Sequence, residues 1–285
     1  MCRLFGLCAG SERVTATFWL LDAPDSLTAQ SHREPDGTGL GWFDREGRPR
    51  VSKQAVAAYE DRAFAREAHE LSSTSFLAHI RFASTGALET RNTHPFEQRG
   101  RLFAHNGVIE DLPALEEHLG EARALVHGDT DSERLFALIT RETEARGGDV
   151  EAGIITACRW VAEHLPVFAV NLLLASADGF WALRYPATHD LFVLEREPGQ
   201  RLEHSSSLGT RVRSEHGAQK PLVVFASEKL DDDPGWRPLR PGELLHVTPT
   251  LQVRSQEALS TAPARLLTLA DLGAVARASQ ARQPQ

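Results

Sequence analysis

The chain opens Met1-Cys2-Arg3-Leu4-Phe5-Gly6, so removal of the initiator methionine would leave a thiol and a free α-amine on one residue. A cysteine thiol titrates near ~8.5 and an α-amino group near ~7.7 to 8.0, so passing a proton from sulfur to nitrogen is nearly isoenergetic at neutral pH. The thiolate is the reactive form. A chain-terminal amine can serve as its base, splitting one acyl transfer into two easier steps. The direct S-to-N contact within a residue is badly angled, so a bridging water is expected. Three further segments carry groups suited to such chemistry: His79-Ile80-Arg81-Phe82-Ala83-Ser84-Thr85-Gly86, His105-Asn106-Gly107-Val108-Ile109 and Gly128-Asp129-Thr130-Asp131-Ser132-Glu133.

Each of these has a plainer reading when taken alone. Arg81 reads as a salt-bridge residue, Asp131 as a cap for the helix that follows, and Asn106-Gly107 as a hairpin turn. His79, His94 and His105 invite a metal, but two lie on presumptive strands beside apolar residues and no carboxylate completes a site, so neither metal nor cofactor is expected. Asp231-Asp232-Asp233 reads as a solvated acidic turn, and the tryptophans as core.

The elements that must position these groups follow from periodicity. Arg3 to Ala9 reads as a buried strand, which sets Cys2 at a strand end. Pro35 to Gly41, with glycines at 37, 39 and 41, reads as a loop whose backbone passes close to something else. Gln54 to Leu71 has apolar residues at helical spacing. Phe76 to Phe82 and Arg101 to His105 read as strands. Helices are expected over Leu112 to Leu119, Ser132 to Arg146 and Asp149 to Leu165, with Asp111 and Asp149 as N-caps. After Pro166 come short apolar runs bounded by Gly, Pro or Asp, which is a β-rich second half. From about Ala274 the chain reads as a frayed tail.

At 285 residues, 41% hydrophobic and 25% charged, the composition is that of a globular protein of one or two domains. A net charge of −8 without any basic block argues against nucleic acid or an anionic membrane as partner. Cys2, Cys8 and Cys158 show no CxxC spacing, which fits a reducing compartment. No signal-peptide h-region or membrane-length apolar run is visible, so the expected location is cytoplasmic.

Taken together and in order, the four segments resemble the class II glutamine amidotransferases, whose mature chain begins with the catalytic cysteine. Arg33-Glu34-Pro35-Asp36 is similar to a turn that many members carry, with Glu34 where glycine is usual. Asn92-Thr93-His94-Pro95-Phe96, Ala226-Ser227-Glu228-Lys229-Leu230 and Pro241-Gly242-Glu243-Leu244-Leu245 look like the stand-alone subgroup of YafJ-like proteins and the γ-glutamyl hydrolase of ergothioneine biosynthesis. The resemblance implies an N-terminal-nucleophile hydrolase fold, an α+β four-layer αββα sandwich of two antiparallel sheets. It implies one domain over 1–273, a disordered tail over 274–285, and no appended synthase module.

By the same resemblance Cys2 is the nucleophile and its α-amine the base, while the Asn106 side chain and the Gly107 N–H form an oxyanion hole. Arg81, with Ser84, binds the α-carboxylate of a glutamine or γ-glutamyl substrate, and Asp131 its α-ammonium. Both pairings suit the groups, since guanidinium meets carboxylate bidentately and a carboxylate accepts from ammonium. Phe82 stands where many relatives have Trp, and Thr85 where many have His. The implied activity is γ-amide hydrolysis through a Cys2 thioester, with a synthase or acceptor protein as a conceivable partner. The alternative from another class is a non-catalytic subunit that binds γ-glutamyl ligands and regulates a partner enzyme.

Overall fold

The computed structural model describes residues 2–83, 86–199, 203–205, 211–213 and 220–281. Most of its strands form two sheets packed face to face. The first runs β13 (Arg237–Pro238), β9 (Phe192–Arg196), β12 (Leu222–Ala226), β1 (Arg3–Cys8), β4 (Ser75–Arg81), β2 (Gly37–Phe43) and β3 (Pro49–Gln54). The second runs β15 (Val253–Glu257), β14 (Glu243–Val247), β8 (Gly179–Leu183), β7 (Pro166–Ser176), β6 (Arg101–Ile109) and β5 (Phe96–Gln98). Neighbours along both paths are antiparallel, and the short β16 (Arg265–Leu266) joins β7 in parallel. A separate ribbon pairs β10 (Glu203–Ser205) with β11 (Arg211–Arg213).

Side-chain alternation explains the layers. In β7, Leu172 and Leu174 face the helices α4 (Asp131–Ala145) and α5 (Val150–His164), whereas Leu173 and Ala175 face the other sheet. A strand buried on both faces reads as an unbroken apolar run, which is why Phe168 to Ala175 carries so little polarity. In β1, Phe5 and Leu7 pack outward with a π-helical turn at Phe18–Asp22 and the helices α1 (Leu27–Gln30) and α2 (Arg62–Glu70), while Leu4 and Cys8 turn inward. The result is the expected αββα sandwich. By the same alternation Cys2, one step ahead of β1, turns toward the space between the sheets.

Several sequence expectations are corrected. Gly37–Phe43 is strand β2 rather than a loop, although the inferred close approach is real: a Cβ on Gly39 would lie 1.9 Å from the carbonyl oxygen of His94, which crosses over this strand. The helix expected from Gln54 begins only at Arg62, where Asp61 caps it by accepting the N–H of Ala63 and Phe64. Asn106 and Gly107 lie inside β6, not in a turn. Asp111 and Asp149 are N-caps as expected, and α3 (Leu112–Leu119) follows Asp111. The Asp231–Asp233 turn is structural rather than merely solvated, because Asp231 accepts the Trp236 indole N–H at 2.7 Å and Asp233 pairs with Arg196 at 2.5 Å. From 274 the chain forms α6 (Ala274–Gln280) instead of a frayed tail, and buried Gln280 meets buried His189 at 2.8 Å. Residues 282–285 lie outside the described residues. No described helix is long and apolar enough to cross a membrane.

Candidate active site

The ends of β1, β4 and β6 and the start of α4 meet around one narrow pocket. It is lined by Cys2, Arg81, Gly107 and Asp131, with Phe82, Asn92 and the three histidines 79, 94 and 105 around them, and holds about 300 Å³ of empty space, part of it open to solvent. A larger open hollow, lined by Pro24, Asp25, Arg33 and residues 229–234, has no cysteine, serine or threonine in its lining.

Cys2 is 8% exposed. The Phe82 N–H donates to its Sγ at 3.2 Å, and the thiol lies equally close to the Phe82 carbonyl oxygen. Burial pushes the Cys2 thiol above its ordinary value, opposed by the Phe82 N–H and raised further by Glu34. A thiol held this way is protected at rest and needs a nearby proton acceptor to become a thiolate.

Asn106 donates from Nδ2 to the Cys2 carbonyl oxygen at 2.9 Å. An amide nitrogen carries two hydrogens, so one remains for another acceptor. Next to it, Gly107 must be glycine: a Cβ there would stand 1.9 Å from the Ala169 carbonyl oxygen on β7. Only a bare backbone fits between the strand neighbours.

Arg81 is almost wholly buried at the end of β4 and donates to the carbonyl oxygens of Ala87 at 3.0 Å and Gly86 at 3.3 Å. Its head is thereby fixed against the loop that follows β4. Burial lowers its pKa, while Cys2 and Asp36 act the other way. Ser84, expected beside it, lies outside the described residues.

Asp131 does not cap α4. Thr130 is the N-cap and accepts the Glu133 N–H, while Asp131 stands at the first helical position and reaches back to accept the Ile109 N–H at 2.9 Å. A carboxylate is favoured at a helix N-terminus, so this position suits its charge.

The three histidines are neutral. Burial lowers His79 to about 3 and His94 well below the ordinary value, and His105 is lowered as well. His79 and His94 are tilted against each other with centroids 4.2 Å apart, whereas His105 meets the Ser132 hydroxyl at 2.9 Å. Among the described residues no group of His, Cys, Asp and Glu could hold a metal ion.

Asn92 is the pocket residue for which the sequence offered no role. Its amide donates to Asp129 at 3.1 Å and to the Ala87 carbonyl at 3.1 Å, and accepts the Asp129 N–H at 2.8 Å. It therefore ties the loop that holds Arg81 to the loop that leads into Asp131. The only trace in the sequence was its place in Asn92-Thr93-His94-Pro95-Phe96.

Comparison with known proteins agrees with this architecture. Residues 1–264 match the family model for class-II glutamine amidotransferases. The chain is 30% identical over 241 residues to the gamma-glutamyl-hercynylcysteine sulfoxide hydrolase of Mycolicibacterium smegmatis, covering 80% of this chain and 88% of that one. It is 25% identical over 217 residues to the putative glutamine amidotransferase YafJ of Escherichia coli, covering 73% and 83%. Among solved structures, a glutamine aminotransferase class-II domain protein from Silicibacter pomeroyi superposes with a TM-score of 0.59 at 20% identity, over 89% of this chain and 98% of that one.

Proposed function

The chain belongs to the class II glutamine amidotransferases, and from that membership we propose that it hydrolyses the γ-amide of glutamine or of a γ-glutamyl amine, with Cys2 as nucleophile. The observation that carries this reading is the convergence of the Cys2 thiol, Arg81, Gly107 and Asp131 on one pocket. Arg81 takes the substrate α-carboxylate, with a hydrogen bond from Ser84, and Asp131 takes the α-ammonium. The γ-carbonyl then lies toward the sulfur.

The thiol proton passes to the freed α-amine of Cys2, and the sulfur adds to the γ-carbonyl carbon. Negative charge develops on the carbonyl oxygen, which faces the second Asn106 Nδ2 hydrogen and the Gly107 N–H. Losing one such donor typically costs ~10² to 10³ in rate. Collapse breaks the C–N bond, and the amine leaves with the proton. Water adds to the thioester, the C–S bond breaks, and glutamate departs with the thiol restored.

The leaving group is assigned as an amine larger than ammonia. In its support, the Mycolicibacterium relative named for a γ-glutamyl substrate aligns over most of its own length. The catalytic unit is one domain spanning 1–273, to which α6 is docked.

The test is glutamate release from glutamine and a panel of γ-glutamyl amides, using protein whose loss of Met1 is verified by intact mass. Turnover should appear with at least one substrate and vanish in a folded Cys2→Ala variant. Equal turnover by Cys2→Ala would overturn the assignment. Binding of γ-glutamyl compounds without release of glutamate from any would favour a regulatory, non-catalytic subunit.

A further inference from the structure

Beside Cys2 stands a charge that the chemistry above does not use. Arg3 is buried, and its Nη2 lies 3.2 Å from Glu34 Oε1 and 3.0 Å from Glu228 Oε1. Glu34 is itself fully buried and comes from the loop between α1 and β2, whereas Glu228 comes from the turn after β12 and is 30% exposed. Arg33 continues the chain of charges outward, 3.5 Å from Glu228 and 3.2 Å from Asp25. Burying a carboxylate is costly unless it is paired, and apolar replacement of a buried ion pair is often neutral or better for stability. Stability is therefore a weak reason for this triad.

Its position suggests another. The peptide between Cys2 and Arg3 is anchored on its Cys2 carbonyl by Asn106 Nδ2 at 2.9 Å. One residue later the Leu4 N–H donates to Ser227 Oγ at 2.7 Å. Between these two anchors lies Arg3, whose side chain leaves the opposite face of the strand from Cys2. We propose that the Arg3–Glu34–Glu228 triad is the positioning device of the nucleophile: it fixes the rotation of the Cys2–Arg3 peptide so that the sulfur stays against the Phe82 N–H and aimed into the pocket. Glu34 and Glu228 are positioning residues, since neither lines the pocket. The inference rests on Cys2 being the nucleophile.

The experiment compares wild type, Glu34→Gln, Glu34→Asp, Glu228→Gln and the double variant Arg3→Met/Glu34→Gln, reading kcat and KM for glutamate release, the rate of Cys2 alkylation by iodoacetamide, and Tm. A nucleophile misplaced by about 1 Å loses roughly 10²-fold, so Glu34→Gln should drop kcat by ~30- to 100-fold while KM moves less than ~3-fold, because Arg81 and Asp131 still grip the glutamyl head. Glu34→Asp should recover part of the loss. The double variant, which removes the buried Arg3–Glu34 pair without changing the net charge of the triad, should fold with Tm close to wild type and still be slow, which a purely structural ion pair would not produce. Full recovery of kcat in the folded double variant, or wild-type kcat in folded Glu34→Gln, overturns the proposal. Should wild type release no glutamate, the functional reading fails by itself, and the triad is then decided by alkylation. A rate lowered at least ~5-fold in Glu34→Gln upholds it, and an unchanged rate, or the faster rate that loss of the Glu34 charge alone would give, refutes it.

Discussion

The carboxylate of Asp131 accepts the main-chain N–H of Ile109 at 2.9 Å, two residues beyond Gly107 on the same strand. A first-turn residue of α4 is thus locked to the strand that carries the proposed oxyanion donors. In the proposed mechanism, ammonium recognition and carbonyl activation share one rigid unit.

Asp131→Asn keeps an acceptor for Ile109 but removes the charge. Hydrogen bonds to charged groups are worth about 1.5–3 kcal/mol, so kcat/KM for glutamate release should fall by roughly 10- to 150-fold, mostly through KM, with little change in Tm. Steady-state kinetics with thermal unfolding checks this. A fall in Tm of many degrees would mean that the residue acts mainly as a structural brace.

Gly107→Ala should fail structurally as well as chemically. A Cβ 1.9 Å from the Ala169 carbonyl forces β6 away from β7. Overpacking costs about 1–3 kcal/mol or more, which should appear as a lower urea midpoint. Gly147→Ala, where the added methyl meets nothing within 4 Å, isolates the left-handed backbone cost and should be milder.

Retained Met1 turns the proposed base into an amide and should reduce glutamate release by at least ~10²-fold, the lower range for loss of a general base. In mixed preparations, activity should scale with the fraction of chains lacking Met1 by intact mass. Full activity from chains that keep Met1 would remove the amine from the mechanism.

Stability should decline below neutrality. The folded rings of His79, His94 and His105 have depressed pKa values, His79 about 3, whereas the unfolded chain protonates them near the ordinary ~6.5. The unfolded state thus binds more protons as pH falls. Their contribution is fully present above pH ~6.5 and fades below it, by up to about 1.4 kcal/mol per pH unit for each ring. Urea midpoints at pH 7, 6 and 5 measure the slope, and His94→Gln should lower it by about one proton. A slope unchanged in that variant would show that His94 titrates normally.

Removing residues 274–285 should lower Tm. It breaks the contact of buried His189 with Gln280, and an unsatisfied buried polar group costs about 1–3 kcal/mol. Gln280→Ala alone should reproduce part of the loss.

What could be read from the sequence was chemical type at fixed spacing. Cys2, Arg81 and Asp131 reach the pocket from the ends of elements whose periodicity is plain, and Asn106 and Gly107 reach it or its rim from inside β6. The strand β2 was hidden because glycines occupy one of its faces. That emptiness makes space for His94 and Pro95, and a missing side chain leaves no apolar alternation to detect. Asp131 looked like a cap, yet Thr130-Asp131-Ser132-Glu133 already placed Thr three residues before Glu, the pattern of an N-cap at Thr130. Asn92 and the Arg3–Glu34–Glu228 triad escaped because their partners lie tens to hundreds of residues away, where no local period reports them.

Strand β1 lies between β4, made early, and β12, whose residues paired with it begin at Val223. During synthesis the leading end therefore waits, open on one flank, until most of the polypeptide has left the ribosome. Once β12 and the Ser227 hydroxyl dock, the segment after Cys2 is enclosed, so the removal of Met1 that the proposed mechanism requires would have to precede that step.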